Sequence, residues 1–151
     1  AVDDFLAKAD ASAHLNYPVL RAADCEREFP GMKRTTLRFR EGEFTGGNLL
    51  LAETAAMRAL LPKIDQAYAW RKSPAKLAGL VGIGPLAQIA LGKLIPWTLT
   101  LPRFESSVGG LLGIRVRGIV CDFPSIGADI DNEAQYFQAD ALKTARMPAD
   151  K

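Results

Sequence analysis

The sequence predicts an α/β domain with a mixed sheet and several helices, and three observations carry that expectation. In residues 114–120, Ile114, Val116, Gly118 and Val120 fall on one face and Arg115 and Arg117 on the other, the period-two signature of a strand. Residues 33–40 alternate in the same way, with Thr35, Leu37 and Phe39 opposed to Arg34, Thr36, Arg38 and Arg40, and read as a half-buried strand. Helical spacing lies around these strands. Val2, Phe5, Leu6 and Ala9 share one face of an amphipathic helix that starts at once, with Asp3 and Asp4 at its positive end.

The remaining elements follow in order. There is no initiating Met, basic n-region or long apolar stretch at the start, so residues 1–6 are not a signal peptide, and a chain that opens inside a helix is expected to be cut from something longer. Residues 15–20 form a short apolar strand. Residues 26–31 are polar, end in Pro30-Gly31 and read as a loop. After the strand at 33–40, Glu41-Gly42-Glu43 turns the chain, and residues 44–48 lead into Leu49-Leu50-Leu51. Residues 54–61 and 62–70 read as two helices, with Pro62 in the first turn of the second. A basic joint, Arg71-Lys72-Ser73-Pro74, precedes an apolar helical segment, 75–112, made of helices at 75–81, 86–94 and 98–112. The strand at 114–120 and a final helix bearing Ala134, Phe137, Ala141 and Leu142 close the chain.

Composition bounds the function classes. The 151 residues suit a single domain, 1–151, able to bury about 70% of its unfolded surface. A net charge of +2 gives no concentrated basic surface, which argues against nucleic acid and membrane as partners. Cys25 and Cys121 have no second Cys or His at ligand spacing and read as buried thiols of a reducing, cytoplasmic compartment. Residues 77–101 carry no charge except Lys93, yet glycines, Pro85 and Pro96 divide them into pieces shorter than the roughly 20 residues that span a bilayer. They read as a buried or partner-covered helical pair. Gly82-Ile83-Gly84-Pro85-Leu86-Ala87 fits a dinucleotide glycine pattern, with Glu105 about 20 residues on, but the strand such a motif needs is missing and a helix-to-helix turn is expected. His14, the single histidine, has no nucleophile motif near it and reads as a surface or helix-end residue.

The stretch with most chemistry is Gly127-Ala128-Asp129-Ile130-Asp131-Asn132-Glu133, where the alternating strand gives way to helical spacing. A loop at the end of such a strand is where α/β proteins place ligands, and Mg²⁺ takes one or two protein carboxylates plus substrate phosphates. A second reading has Asp131 or Asn132 capping the helix, with Glu133 in its first turn. The arginine stripe at 34, 38 and 40 reads as a solvated strand face that discourages edge pairing, in preference to a phosphate contact.

Several motifs together resemble a known family. Val2-Asp3-Asp4-Phe5-Leu6, Tyr17-Pro18-Val19, Phe29-Pro30-Gly31, Arg34-Thr35-Thr36-Leu37-Arg38, Gly42-Glu43-Phe44-Thr45-Gly46-Gly47-Asn48, Arg71-Lys72-Ser73-Pro74 and Asp129-Ile130-Asp131 occur in an order that resembles the C-terminal portion of MobA-like nucleotidyltransferases. These relatives of molybdenum cofactor guanylyltransferase have a GT-A type, Rossmann-like fold. The resemblance implies transfer of a nucleotidyl group from an NTP to a small-molecule acceptor, with release of pyrophosphate and with Mg²⁺ as cofactor. It places a metal ligand at Asp129, with Asp131 as its neighbour and cap, and acceptor contacts at Gly46, Gly47 and Asn48. A tight turn into a strand accounts equally well for the two glycines. Where family members continue with Thr-Pro-Glu-Asp, this chain has Asn132-Glu133-Ala134-Gln135. The family's glycine-rich nucleotide loop, its Lys or Arg partner and its mid-fold metal aspartate have no counterpart in residues 1–151. The chain is therefore expected to be inactive alone, with no catalytic side chain of its own, and to self-associate through the edge of its first strand or through Leu86, Ile89 and Leu94. The alternative is a non-catalytic binding or assembly module that retains part of the fold.

Overall fold

A computed structural model describes residues 1–82 and 99–129, together with 133, 136 and 137. The expected helix at 86–94, the contacts at Leu86, Ile89 and Leu94, most of the final helix, and Asp131 lie outside the described residues.

The architecture is α/β with a mixed sheet. Among the described residues the strands are β1 (Leu15–Arg21), β2 (Leu37–Phe39), β3 (Gly42–Gly46), β4 (Leu51–Ala52) and β5 (Val116–Cys121). The helices are α1 (Val2–Lys8), α2 (Ala22–Glu28), α3 (Thr54–Ala69), α4 (Pro74–Val81) and α5 (Leu101–Leu112), and Pro124–Gly127 adds a 3₁₀ turn.

β1 organises the sheet. β5 lies parallel to it from Leu15↔Val116 to Leu20↔Cys121. A strand has two edges, so the antiparallel partners β3 (Val19↔Gly46 to Arg21↔Phe44) and β4 (Leu15↔Ala52, Asn16↔Leu51) share the other edge end to end. Between them the chain swings out of the ladder opposite Pro18, whose carbonyl accepts the Gly47 N–H at 2.9 Å. A proline nitrogen can give nothing to a ladder, and here it faces the gap, so an interior strand tolerates it. The expectation that the first strand offers an uncovered edge is thereby corrected: β5, the last of the described strands, returns alongside it.

Four other expectations shift for local reasons. Residues 22–28 form a helix where a loop was expected from 26 onward; only Cys25 turns fully inward, too little to show a period, while Arg27 pairs with Asp24 at 2.8 Å. The strand expected over 33–40 contracts to Leu37–Phe39, because the Thr35 carbonyl accepts the Thr45 hydroxyl at 2.9 Å and Arg34 turns inward. The two helices expected around Pro62 are one, α3, with the proline inside it. α5 begins later than expected, at Leu101, with the Thr100 hydroxyl accepting the Arg103 N–H and Pro102 in the first turn, and it stops at Gly113, whose φ of 75° is left-handed.

Side chains alternate across the sheet into two cores. Phe5, Leu20, Cys25, Ile119, Cys121 and Ile126 form one. Phe39, Phe44 and Leu99 form the other, with Val19, Leu101, Phe104 and Val120 packed around them. Both cysteines are free and buried, and burial pushes both thiols above their ordinary range. No helix among the described residues is long and apolar enough to cross a membrane.

Candidate functional site

Two loops eighty residues apart in sequence interlock at the gap beside Pro18. Gly46 ends β3 opposite Val19, and the next residue leaves the ladder. The Asn48 N–H then donates to the Ile126 carbonyl at 2.9 Å, which ties this loop to the 3₁₀ turn that follows β5. The Asn48 side-chain amide donates weakly, at 3.4 Å, to the Ala128 carbonyl.

Close approach, and not turn geometry, explains two glycines here. Neither Gly47 nor Gly127 has a positive φ. A Cβ on Gly47 would lie 2.8 Å from Ile126 Cγ2 and 2.9 Å from Pro18 Cγ; one on Gly127 would lie 2.5 Å from Leu20 Cδ1 and 3.1 Å from the Gly46 carbonyl oxygen. In place of a tight turn, Gly46 lies close against the Tyr17 side chain and Gly47 against the side chains of Pro18 and Ile126.

Asp129 follows this interlock and is exposed. Among the described residues no three acidic, histidine or cysteine side chains converge on a metal position. Among the described residues Asp129 thus brings one carboxylate, fewer than the several protein ligands of a Zn²⁺ or Ca²⁺ site. It does fit Mg²⁺, which keeps water and phosphate oxygens as most of its ligands.

Sequence reasoning missed Arg34. Its guanidinium donates from Nη1 to the Gly127 carbonyl, Nη2 lies 3.3 Å from Met32 Sδ, and the group sits 5.8 Å from the Phe29 ring centre. Its Nε is buried without a partner. Nothing in the alternating pattern distinguishes it from Arg38, which meets Glu43 at 3.3 Å, or from exposed Arg40. His14 has a structural role. Its Nδ1 accepts the Arg115 N–H at 2.9 Å and its Nε2 lies 3.7 Å from the Glu53 carboxylate, so it joins the entries of β1, β5 and α3.

Other carboxylates are engaged elsewhere. Lys8 bonds Asp122 at 2.7 Å and Asp4 at 3.0 Å, which holds the Asp122 carboxyl below and the Lys8 ammonium above their usual ranges. Asp10 is held low first by the Ser12 hydroxyl and then by the Ser12 N–H, and it also meets Arg117. Arg117 in turn bonds Glu105, whose other oxygen accepts the Gly118 N–H at 2.8 Å and pins α5 to β5.

No protein-family model matches the chain, and no curated protein does. Among solved structures, a hypothetical transferase from Thermus thermophilus is similar to it, with a TM-score of 0.76 and 40% identity over 89% of this chain and 55% of that one. The chain has the transferase-type α/β fold of that protein and spans about half its length.

Proposed function

We propose that this chain forms the acceptor side of a Mg²⁺-dependent nucleotidyltransferase of the MobA-like type. The observation that carries the reading is the meeting of residues 46–48 with Ile126, Gly127 and Ala128, which sets the glycine-rich loop beside the strand-end loop that bears Asp129. The likeness to a hypothetical transferase supports it. In such a transfer an acceptor oxygen bonds to the α-phosphorus of an NTP as the bond to pyrophosphate breaks. Mg²⁺, when bound, neutralises charge developing on the phosphoryl and leaving oxygens. Asp129 would hold it, with Asp131 two residues on. Tyr17, Pro18 and Ile126 fill the Cβ side of Gly46 and Gly47, so an acceptor would meet only their backbone, and Asn48 Oδ1 remains an acceptor of hydrogen bonds. Donor binding is assigned to sequence outside these 151 residues, since no glycine-rich nucleotide loop lies within them.

The test is pyrophosphate release by the full-length enzyme. Asp129→Ala is expected to lower kcat by about 10²-fold, the scale of losing one electrostatic stabiliser of the transition state, while leaving the unfolding transition in place. Residues 1–151 alone should show no micromolar binding of GTP or CTP with Mg²⁺. Wild-type turnover by Asp129→Ala, or tight stoichiometric nucleotide binding by the chain alone in calorimetry, would refute the assignment.

A further inference from the structure

We infer that Arg34 is a positioning residue that fixes the Asp129 loop against residues 46–48. What the positioning serves rests on the nucleotidyl-transfer reading; the positioning itself rests on geometry.

Among the described residues no side chain hydrogen-bonds the Asp129 carboxylate, so its placement is inherited from the backbone just before it. That backbone is tied at several points. Arg34 Nη1 takes the Gly127 carbonyl, the Asn48 side chain the Ala128 carbonyl, the Asn48 N–H the Ile126 carbonyl, and the Ala128 N–H reaches the Ser125 carbonyl at 3.2 Å. Only the Arg34 tie comes from outside the two interlocked loops, from a stretch that is neither helix nor strand.

Filling space does not explain an arginine at this place. A half-buried guanidinium with an unpartnered Nε is costly to desolvate, and an apolar side chain of similar volume would pack against Met32 and Phe29 without that penalty. What an apolar residue cannot do is grip a carbonyl from a planar fork braced on a ring. The choice of acceptor matters too. Arg34 holds a backbone oxygen and forms no ion pair with the Asp129 carboxylate among the described residues. Lysine, with a flexible stem and no fork, should hold the carbonyl less well.

The experiment compares Arg34→Met, Arg34→Lys and Arg38→Ala with wild type. Amide hydrogen exchange in the chain is expected to be about 10-fold faster or more at Asn48 and Ala128 in Arg34→Met, intermediate in Arg34→Lys and unchanged in Arg38→Ala, with the β1–β5 ladder amides within about two-fold of wild type. In the full-length enzyme, Arg34→Met should lower kcat by about 10–100-fold, the usual loss when a group that orients a metal ligand is removed, with KM for the nucleotide within about two-fold and a higher Mg²⁺ requirement. Wild-type exchange at Asn48 and Ala128, equal acceleration at every amide, or local acceleration with kcat unchanged would each overturn the inference. If the wild-type enzyme releases no pyrophosphate, the nucleotidyl-transfer reading falls while the exchange data still decide whether Arg34 fixes the loop.

Discussion

The two faces of β1 are closed by different means. On the Val19 face, bulky side chains do it: Phe39 meets Phe44 and Phe104 edge-on, with ring centres 5.9 and 5.6 Å apart, over Leu99. On the Leu20 face, Phe5 and Cys25 fill the middle, but beside Pro18 the closure brings bare backbone up to its neighbours: Gly47 against Pro18 and Ile126, Gly127 against Leu20 and the Gly46 carbonyl, possible only because both lack a Cβ. Aromatic packing yields stability that tolerates small shifts, since many weak contacts share it. Close approach of bare backbone leaves no room for a Cβ and so constrains the position of each loop. The candidate site lies on the second kind of closure.

The largest expected effect separates the faces directly. Phe44→Ala should cost about 3–5 kcal/mol, read as a lower denaturant midpoint, because a buried ring that meets Phe39 edge-on is lost. Gly127→Ala should cost about 1–3 kcal/mol, the range for overpacking, since buried Leu20 and the Gly46 carbonyl must both move. On the proposed function, turnover by the longer protein should rank the two variants the other way under conditions where both stay folded. Gly127→Ala should then lose more turnover than Phe44→Ala. If turnover follows stability in both, the faces do not divide these roles.

A smaller effect tests the Leu20 face by pH. Cys25 and Cys121 both lie in its core, and desolvation holds both thiols above their ordinary value of 9.0. A raised folded-state value means that stability is fully present below pH 9 and is lost as pH rises through the folded values, because the unfolded chain gives up these protons first. Urea midpoints should therefore fall between pH 8 and pH 10, and a Cys25→Val, Cys121→Val double variant should show a shallower fall. An unchanged slope would remove the cysteines from that core's account.

How much of this could be read from sequence follows the same division. Period-two alternation at 114–120 and a short apolar run at 15–20 point to β5 and β1, and helical patterns point to α1, α4 and α5, because such patterns report burial of side chains. The interlock could not be read this way. It depends on which strands become neighbours, and the parallel β1–β5 pair joins residues about a hundred positions apart. The glycines at 46 and 47 stand out as a motif, and their reason lies in Tyr17 for the first and in Pro18 and Ile126 for the second, which no local pattern names. Arg34 was hidden by a stronger signal. Its alternation with Thr35 and Leu37 is that of a strand, and only the departure of residues 33–36 from the sheet turns it inward. Pro62 shows the opposite limit: a local breaker inside α3 was overridden by the helix on either side.

The smallest expected effect comes from the stripe's other arginine, Arg38, and it bounds what a charge on this surface is worth. Arg38 and Glu43 meet at 3.3 Å across the β2–β3 pair, and an exposed pair of this kind contributes about 0–1 kcal/mol. Glu43 is nevertheless held below its ordinary value of 4.5, and the largest cause is the Thr36 hydroxyl, with Arg38 behind it. The contribution of a depressed carboxyl is present above its unfolded value and is lost as pH falls through the folded one. Thr36→Val should therefore raise the Glu43 titration midpoint more than Arg38→Ala does, as followed by NMR of the side-chain carboxyl, while Arg38→Ala should change stability by less than about 0.5 kcal/mol. The reverse order would mean that Coulombic attraction governs this edge. Arg38 would then need the same scrutiny as Arg34, whose importance is argued from a carbonyl it grips and not from its charge.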